Sequence, residues 1–186
     1  MAVEEQMEQA SVKMRKAVAA TQEEFGHVRT GRASPHLLDR IEIDYYGART
    51  PLNQIAGISI PEARMMVISP YDKSALSAIE KAIQASDLGV NPNNDGSILR
   101  LNFPPLTEER RKLLIKQVKE RAEEGKIAVR NIRRHSKDEM ERMKKDGEIS
   151  EDDLKRSEKE LQKLTDHFVE EIDKMFGHKE KELLEV

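Results

Sequence analysis

The sequence predicts an α+β protein: a three-helix bundle with a small α/β domain inserted between the first and second bundle helices. Three observations carry this. Long stretches towards both ends repeat apolar residues at spacings of three and four, the stretch between them alternates apolar with polar residues, and the 186 residues are 36% charged with only 4% aromatics. Such a composition favours long solvated helices over a sandwich or barrel. The length suffices for two small domains whose cores stand without disulfides or a structural metal.

The first seam comprises Val3, Met7, Ala10, Met14, Ala17, Thr21, Phe25 and Val28, one helix face packed on other helices with Thr21 its one polar member. The second follows "PPLTEERR": two prolines forbid helix before Leu106, Thr107 is placed to cap, and Glu108 and Glu109 suit the positive end of the helix dipole. It runs Leu114, Val118, Ala122, Gly125, Val129, Ile132 and on through Ser136 towards Met140 and Met143. A glycine inside a helix costs about 1 kcal/mol relative to alanine, so Gly125 predicts a close helix approach. "KKDGEIS" ends that helix at Gly147 and opens the third, with Ser150 and Asp153 as a capping-box variant and Ile149 and Leu154 spaced as a hydrophobic staple. The third seam is Leu154, Leu161, Leu164, Phe168, Ile172, Met175 and Leu183, and three helices sharing one seam period imply a bundle.

The insert has a different period. Ile41, Ile43 and Tyr45 alternate with Glu42, Asp44 and Tyr46; "RMMVIS" is a short apolar strand; "SILRLNF" alternates Leu99, Leu101 and Phe103 with Arg100 and Asn102. A helix over about 74–86 stops at Gly89, and "NPNNDG" reads as a turn before the last strand. The expected domains are therefore 1–30 with 105–186 for the bundle and 31–104 for the α/β domain. Two chain crossings join them as hinge strands, one at Thr30, Gly31 and Arg32 and one at Pro104 and Pro105. In "HVRTGRASPHLLDRIEIDYYG", Gly31 suits a left-handed end to the first helix and Pro35 biases Ser34 away from helix.

Several kinds of chemistry drop out. With no cysteine, thiol catalysis, Cys-ligated zinc and a disulfide scaffold are excluded, and a reducing cytoplasm is permitted. No stretch approaches the roughly 20 apolar residues of a membrane span, and residues 1–20 lack a basic start followed by an apolar run, so a soluble, cytoplasmic protein is expected. The five histidines, 27, 36, 135, 167 and 178, stand at no metal-ligand spacing from one another, and no carboxylate pair is singled out for acid–base work. "TGRASP" has one glycine, after a helix, unlike a Walker or dinucleotide loop. Neither an enzyme, a cofactor nor a metal site is expected.

The charge is sorted by segment. Over residues 107–145 fourteen Lys and Arg stand against eight Asp and Glu, whereas over 150–186 seven stand against twelve. On the second bundle helix Lys112, Lys116, Lys119, Lys126, Arg130, Arg133 and Lys137 share one face, interrupted by Glu123, over roughly 38 Å. Charged helix faces are most often merely solvated. Here the concentration of positive charge in an acidic protein, with "VRNIRR" and with Arg29 and Arg32 at the first crossing, points to nucleic-acid phosphates gripped by guanidinium forks. With few aromatics to stack on bases, the expected target is folded RNA shape rather than single-stranded sequence. A helical protein-binding adaptor with no RNA partner is the alternative.

The same stretches resemble the bacterial ribosome recycling factors: "RTGRASP" (29–35), "IDYYG" (43–47), "SDLGVNPNNDGS" (86–97), "PPLTEERR" (104–111), "VRNIRR" (129–134) and "GEISEDD" (147–153), in family order along nearly the whole chain. No mitochondrial-type extension precedes the first helix, which argues for a bacterial member. The resemblance implies an L-shaped, tRNA-sized monomer with the smaller domain on two hinge strands. It also implies binding to large-subunit ribosomal RNA across the tRNA sites. Elongation factor G, using GTP, would then drive the post-termination ribosome into subunits, releasing mRNA and tRNA, while the recycling factor itself hydrolyses nothing. Carried onto this chain, the RNA contacts are Arg130, Arg133 and Arg134, flanked by Lys119, Lys126 and Lys137 of the stripe, with Arg29, Arg32, Arg110 and Arg111 near the hinge.

Overall fold

The computed structural model describes residues 2–185. In chain order the elements are α1 (Ala2–Gly26), β1 (Glu42–Tyr45), β2 (Ala48–Pro51), α2 (Leu52–Ile55), β3 (Ala56–Glu62), β4 (Met65–Pro70), α3 (Leu76–Ala85), β5 (Pro92–Asn94), β6 (Leu99–Asn102), α4 (Glu108–Lys145) and α5 (Glu151–Leu184), with 3-10 turns at Pro35–Leu38 and Lys73–Ala75. The chain forms two compact units, Met1–Phe25 with Ile115–Lys181 and Gly26–Leu114 with Glu182–Val186. It is the expected α+β architecture of long helices plus a small sheet.

The first unit is helical. Its core takes Ala10, Met14, Val18 and Phe25 from α1, Val118, Ala122, Val129 and Met140 from α4, and Leu154, Leu161, Phe168 and Ile172 from α5. Full burial of such side chains is worth about 1.5–3 kcal/mol each, which is what holds helices of this length together. The expected seam needs one correction on α1: Val18 is buried where Ala17 was expected, and Ala17 is half-buried. Both positions continue the spacing from Met14 to Thr21, and the larger side chain takes the core. On α5, Ser157 and Thr165 join the apolar seam. Their hydroxyls donate to the carbonyls of Asp153 and Leu161, at 2.8 and 2.7 Å, as Thr21 does to Ala17 at 2.9 Å, so no polar group is buried unsatisfied there.

Gly125 justifies its place. A Cβ added there would lie 2.3 Å from Thr21 Oγ1 and 3.1 and 3.2 Å from Cγ2 and Cβ of the same residue, so α1 and α4 approach as closely as the glycine allows. The helix ends follow the sequence signals. Thr107 Oγ1 accepts from the Arg110 amide at 3.2 Å; past α4, Gly147 adopts φ +77° while Glu148 N donates to Met143 O and Gly147 N to Lys144 O, a Schellman end. Ser150 and Asp153 exchange hydrogen bonds at the start of α5, Asp153 N to Ser150 Oγ at 3.1 Å and Ser150 N to Asp153 Oδ2 at 3.3 Å.

The second unit contains a four-stranded antiparallel sheet in the order β3-β4-β6-β5 and a separate β1–β2 hairpin, with α3 lying against β1 and β5. Met66, Ile68, Leu99, Leu101, Phe103 and the α3 residues Ile79 and Ile83 fill its core. Two expectations are corrected. Helix α1 stops at Gly26, before Val28, so Gly31 (φ +83°) turns an already non-helical segment instead of capping the helix. In "NPNNDG", Pro92–Asn94 is the edge strand β5, where a proline's missing N–H is tolerated, and the turn proper is Asp95–Ser97. There Asp95 accepts from the amides of Ile98 and Ser97 and from Arg100, which holds its carboxyl down to about 2. Strand β2 carries no apolar alternation and so does not announce itself, whereas β3 does alternate, Ala56, Ile58 and Ile60 against Gly57, Ser59 and Pro61, and is a strand the expected elements lack.

Candidate nucleic-acid interface

The cations of α4 fall into two groups. At 3.6 residues per turn, Lys126, Arg133 and Lys137 lie within about 70° of the buried seam of Val118, Val129 and Met140, and Lys119 and Arg130 about 100° from it. Those nearer the seam meet α5. Lys126, whose side chain is only 13% exposed, lies between Asp173 at 2.8 Å and Glu123 at 2.7 Å, and the hydrogen bonds to Asp173 and then Glu123 push its pKa up. Lys137 pairs with Glu158 at 3.3 Å and Glu141 at 3.7 Å, and Arg133 donates to Gln162 at 3.4 Å. These three form an inner row, tied to the neighbouring helix.

An outer row faces solvent. Lys116, Lys119, Arg130 and Arg134 are exposed, and none pairs with a carboxylate among the described residues. Lys112, at the start of the stripe, holds Glu108 one turn back at 3.0 Å, an exposed pair of small worth that a phosphate can displace. The outer row thus presents cations on a stiff 38-residue helix with no competing acid to strip away first. Its chemistry is multivalent phosphate contact, with guanidiniums able to bind two oxygens at once.

The arginines of the chain crossings differ from one another. Arg29 is a clamp: its guanidinium donates to the carbonyls of Leu88 at 3.4 Å and Pro104 at 3.1 Å and lies 5.8 Å from the centroid of the Phe103 ring. Burial, and then the nearby Arg110 charge, lower its pKa. One side chain thereby ties the 26–34 segment to the segment at Pro104. Around it Thr30 is buried, and a Cβ on Gly31 would stand 3.5 Å from Leu106, whereas Pro104 and Pro105 are exposed. Arg32 and Arg110 are exposed and available, while Arg111 is half-buried, its Nε enclosed without a partner, as are Arg29 Nε and both ring nitrogens of His27.

Sequence reasoning found the cations but not their commitments. Lys126, Arg133 and Lys137 look equivalent to Arg130 by spacing, and what separates them is set by α5 residues 21–47 positions further on. Nor does spacing single out Arg121, whose side chain pairs with Glu24 across to α1 and donates to the Glu24 carbonyl at 3.2 Å. Among the described residues no group of three or more His, Asp or Glu gathers to hold a metal ion, and no helix is long and apolar enough to cross a membrane.

Known proteins resemble this chain along nearly its whole length. A family model described as ribosome recycling factor matches residues 21–184. The ribosome-recycling factor of Caldicellulosiruptor bescii is 56% identical over 98% of this chain and 99% of its own length, and that of Bacillus subtilis 53% identical over 98% of each. Among solved structures, a solution structure of the ribosome recycling factor superposes with a TM-score of 0.81 at 41% identity, covering 100% of this chain and 99% of that one. Another similar chain, at a TM-score of 0.70 and 46% identity over 99% of this chain and 100% of that one, belongs to a model of the T. thermophilus ribosome recycling factor and the E. coli elongation factor G bound to the E. coli post-termination complex.

Proposed function

The chain belongs to the ribosome recycling factor family, and we propose that its outer cationic row is the surface by which it holds ribosomal RNA. The protein is a translation factor and not an enzyme. It acts in the cytoplasm as a monomer on the post-termination ribosome, across the tRNA sites of the large subunit. With elongation factor G and its GTP it separates the subunits and frees mRNA and tRNA. The likeness to a recycling factor bound with elongation factor G on the post-termination complex supports this partner set.

The observation that supports the surface is the exposure of Lys119, Arg130 and Arg134 beside an inner row that α5 occupies. Arg133, half-buried and held by Gln162, reaches RNA by releasing that one weak bond; Lys126 and Lys137 orient α5 and add charge at longer range. At the crossings Arg32 and Arg110 meet phosphate, while Arg29 and Arg111 shape the segments around Thr30, Gly31, Pro104 and Pro105, on which the α/β unit pivots.

The test is splitting of post-termination ribosomes with and without elongation factor G and GTP. The proposal expects splitting only when all are present, and pelleting with large subunits that falls steeply as salt is added. A protein-binding adaptor would stay in the supernatant at low salt. Cross-linking the two units should leave pelleting intact and stop splitting; normal splitting by the cross-linked protein rejects the pivot.

A further inference from the structure

Two of the chain's three tyrosines, Tyr45 and Tyr46, meet one carboxylate on the second unit, and the third, Tyr71, precedes that carboxylate in the chain, away from any residue assigned above. The β1–β2 hairpin turns through Tyr46 and Gly47, both with positive φ (+51° and +79°), as a two-residue turn between paired Tyr45 and Ala48 requires. Glycine and asparagine suit such a position; tyrosine is strained there. Tyr46 is nonetheless 84% exposed, and Tyr71 is 76% exposed, the two highest values among the large apolar side chains described. The Tyr45 and Tyr46 hydroxyls converge on Asp72. Its Oδ2 accepts from Tyr45 Oη at 3.1 Å and Tyr46 Oη at 3.4 Å, its Oδ1 from the Ser74 amide at 2.9 Å, and the Tyr45 and Tyr46 rings meet edge-on with centroids 4.6 Å apart. Tyr71 is its neighbour in the chain.

Nothing in the fold needs Tyr46 to be aromatic: its ring is open to solvent, and its hydroxyl bond to Asp72 is an exposed one that water can replace. Burial drives neither exposed ring, so the cluster has the character of an interface anchor. The charge selects the occupant. A carboxylate at the centre, held ionised by the Ser74 bond first and then by Tyr45, repels a phosphate backbone and attracts a cation. Phenols donating to that carboxylate present electron-rich faces, which favour a guanidinium over a neutral ring. We propose that Tyr46, Tyr71 and Asp72 form a docking site for an arginine-bearing loop of a protein partner, separate from the RNA-binding face of α4.

The test uses the full chain and a peptide of alternating arginine and glycine. Because the chain has no Trp, its emission arises from these three tyrosines and reports occupancy directly. The expected result is saturable quenching by the peptide, with calorimetric affinity about tenfold weaker in Tyr46→Asn and in Tyr71→Ser, changes that leave net charge untouched. Large-subunit pelleting should be unchanged in both. Wild-type peptide affinity in either variant would overturn the site. So would binding of oligouridylate in preference to the peptide, lost in Tyr46→Asn, since the occupant would then be a nucleobase.

Discussion

Two rows of cations run along α4 a fraction of a turn apart, built from the same residue types. Lys126, Arg133 and Lys137 are engaged by Asp173, Gln162 and Glu158, while Lys119, Arg130 and Arg134 stand open. The difference lies in the acidic helix α5, which runs along one row and leaves the other. Charge counted in a sequence is therefore not charge available to a ligand; the available part is what remains after the fold has paired the rest.

The largest effect that separates the rows should come from the outer one. Arg130→Ala with Arg134→Ala is expected to weaken large-subunit binding about a hundredfold, two charge-assisted contacts being lost, with helix content by circular dichroism unchanged. Next is a change that strains the helix carrying both rows but touches neither. Gly125→Ala gains helix propensity yet drives a methyl into Thr21, for a net loss of about 1–2 kcal/mol and a melting temperature lower by about 4 °C, with binding at low temperature preserved.

Removing an inner-row charge should do less. Lys126→Met is expected to cost under about 1 kcal/mol in stability and less than about threefold in binding. It also has a pH signature. Asp173 and Glu123 raise the Lys126 pKa above its unfolded value, so its contribution is complete below that value and fades as pH rises through the folded one. Chemical denaturation above about pH 10 should therefore narrow the gap between wild type and variant. The smallest effect lies off the rows altogether: Tyr46→Asn relieves a positive-φ tyrosine and should raise stability by about 0.5 kcal/mol, without altering either row's contribution to ribosome binding.

Much of the fold was readable because its signals are local. Thr107, Gly147 and the Ser150–Asp153 pair act over a few residues, and each appears as the sequence implied. Gly125 was legible for another reason: an expensive residue in a helix implies a neighbour at close range, here Thr21. Strand β2 was not, since ARTP has no apolar alternation; β3 does alternate, through Ala56, Ile58 and Ile60, but glycine and proline interrupt the run, and β5 hid behind a proline that an edge tolerates. For the candidate interface the cations were readable and their partners were not. Arg29 shows the limit most clearly. In sequence it is one more arginine near a glycine, two residues before Gly31; in the fold it clamps carbonyls 59 and 75 residues away.

The central claim is that the outer row, and not the paired lysines of the inner one, carries the phosphate contacts. It is tested by the salt dependence of large-subunit binding, comparing wild type, Arg130→Ala/Arg134→Ala and Lys126→Met. Each phosphate contact contributes roughly 0.7–0.9 to the slope of log affinity against log salt, so the outer-row double variant should lose about 1.5 from that slope while Lys126→Met keeps the wild-type value. An unchanged slope in the double variant, or an equal loss in Lys126→Met, would contradict the account.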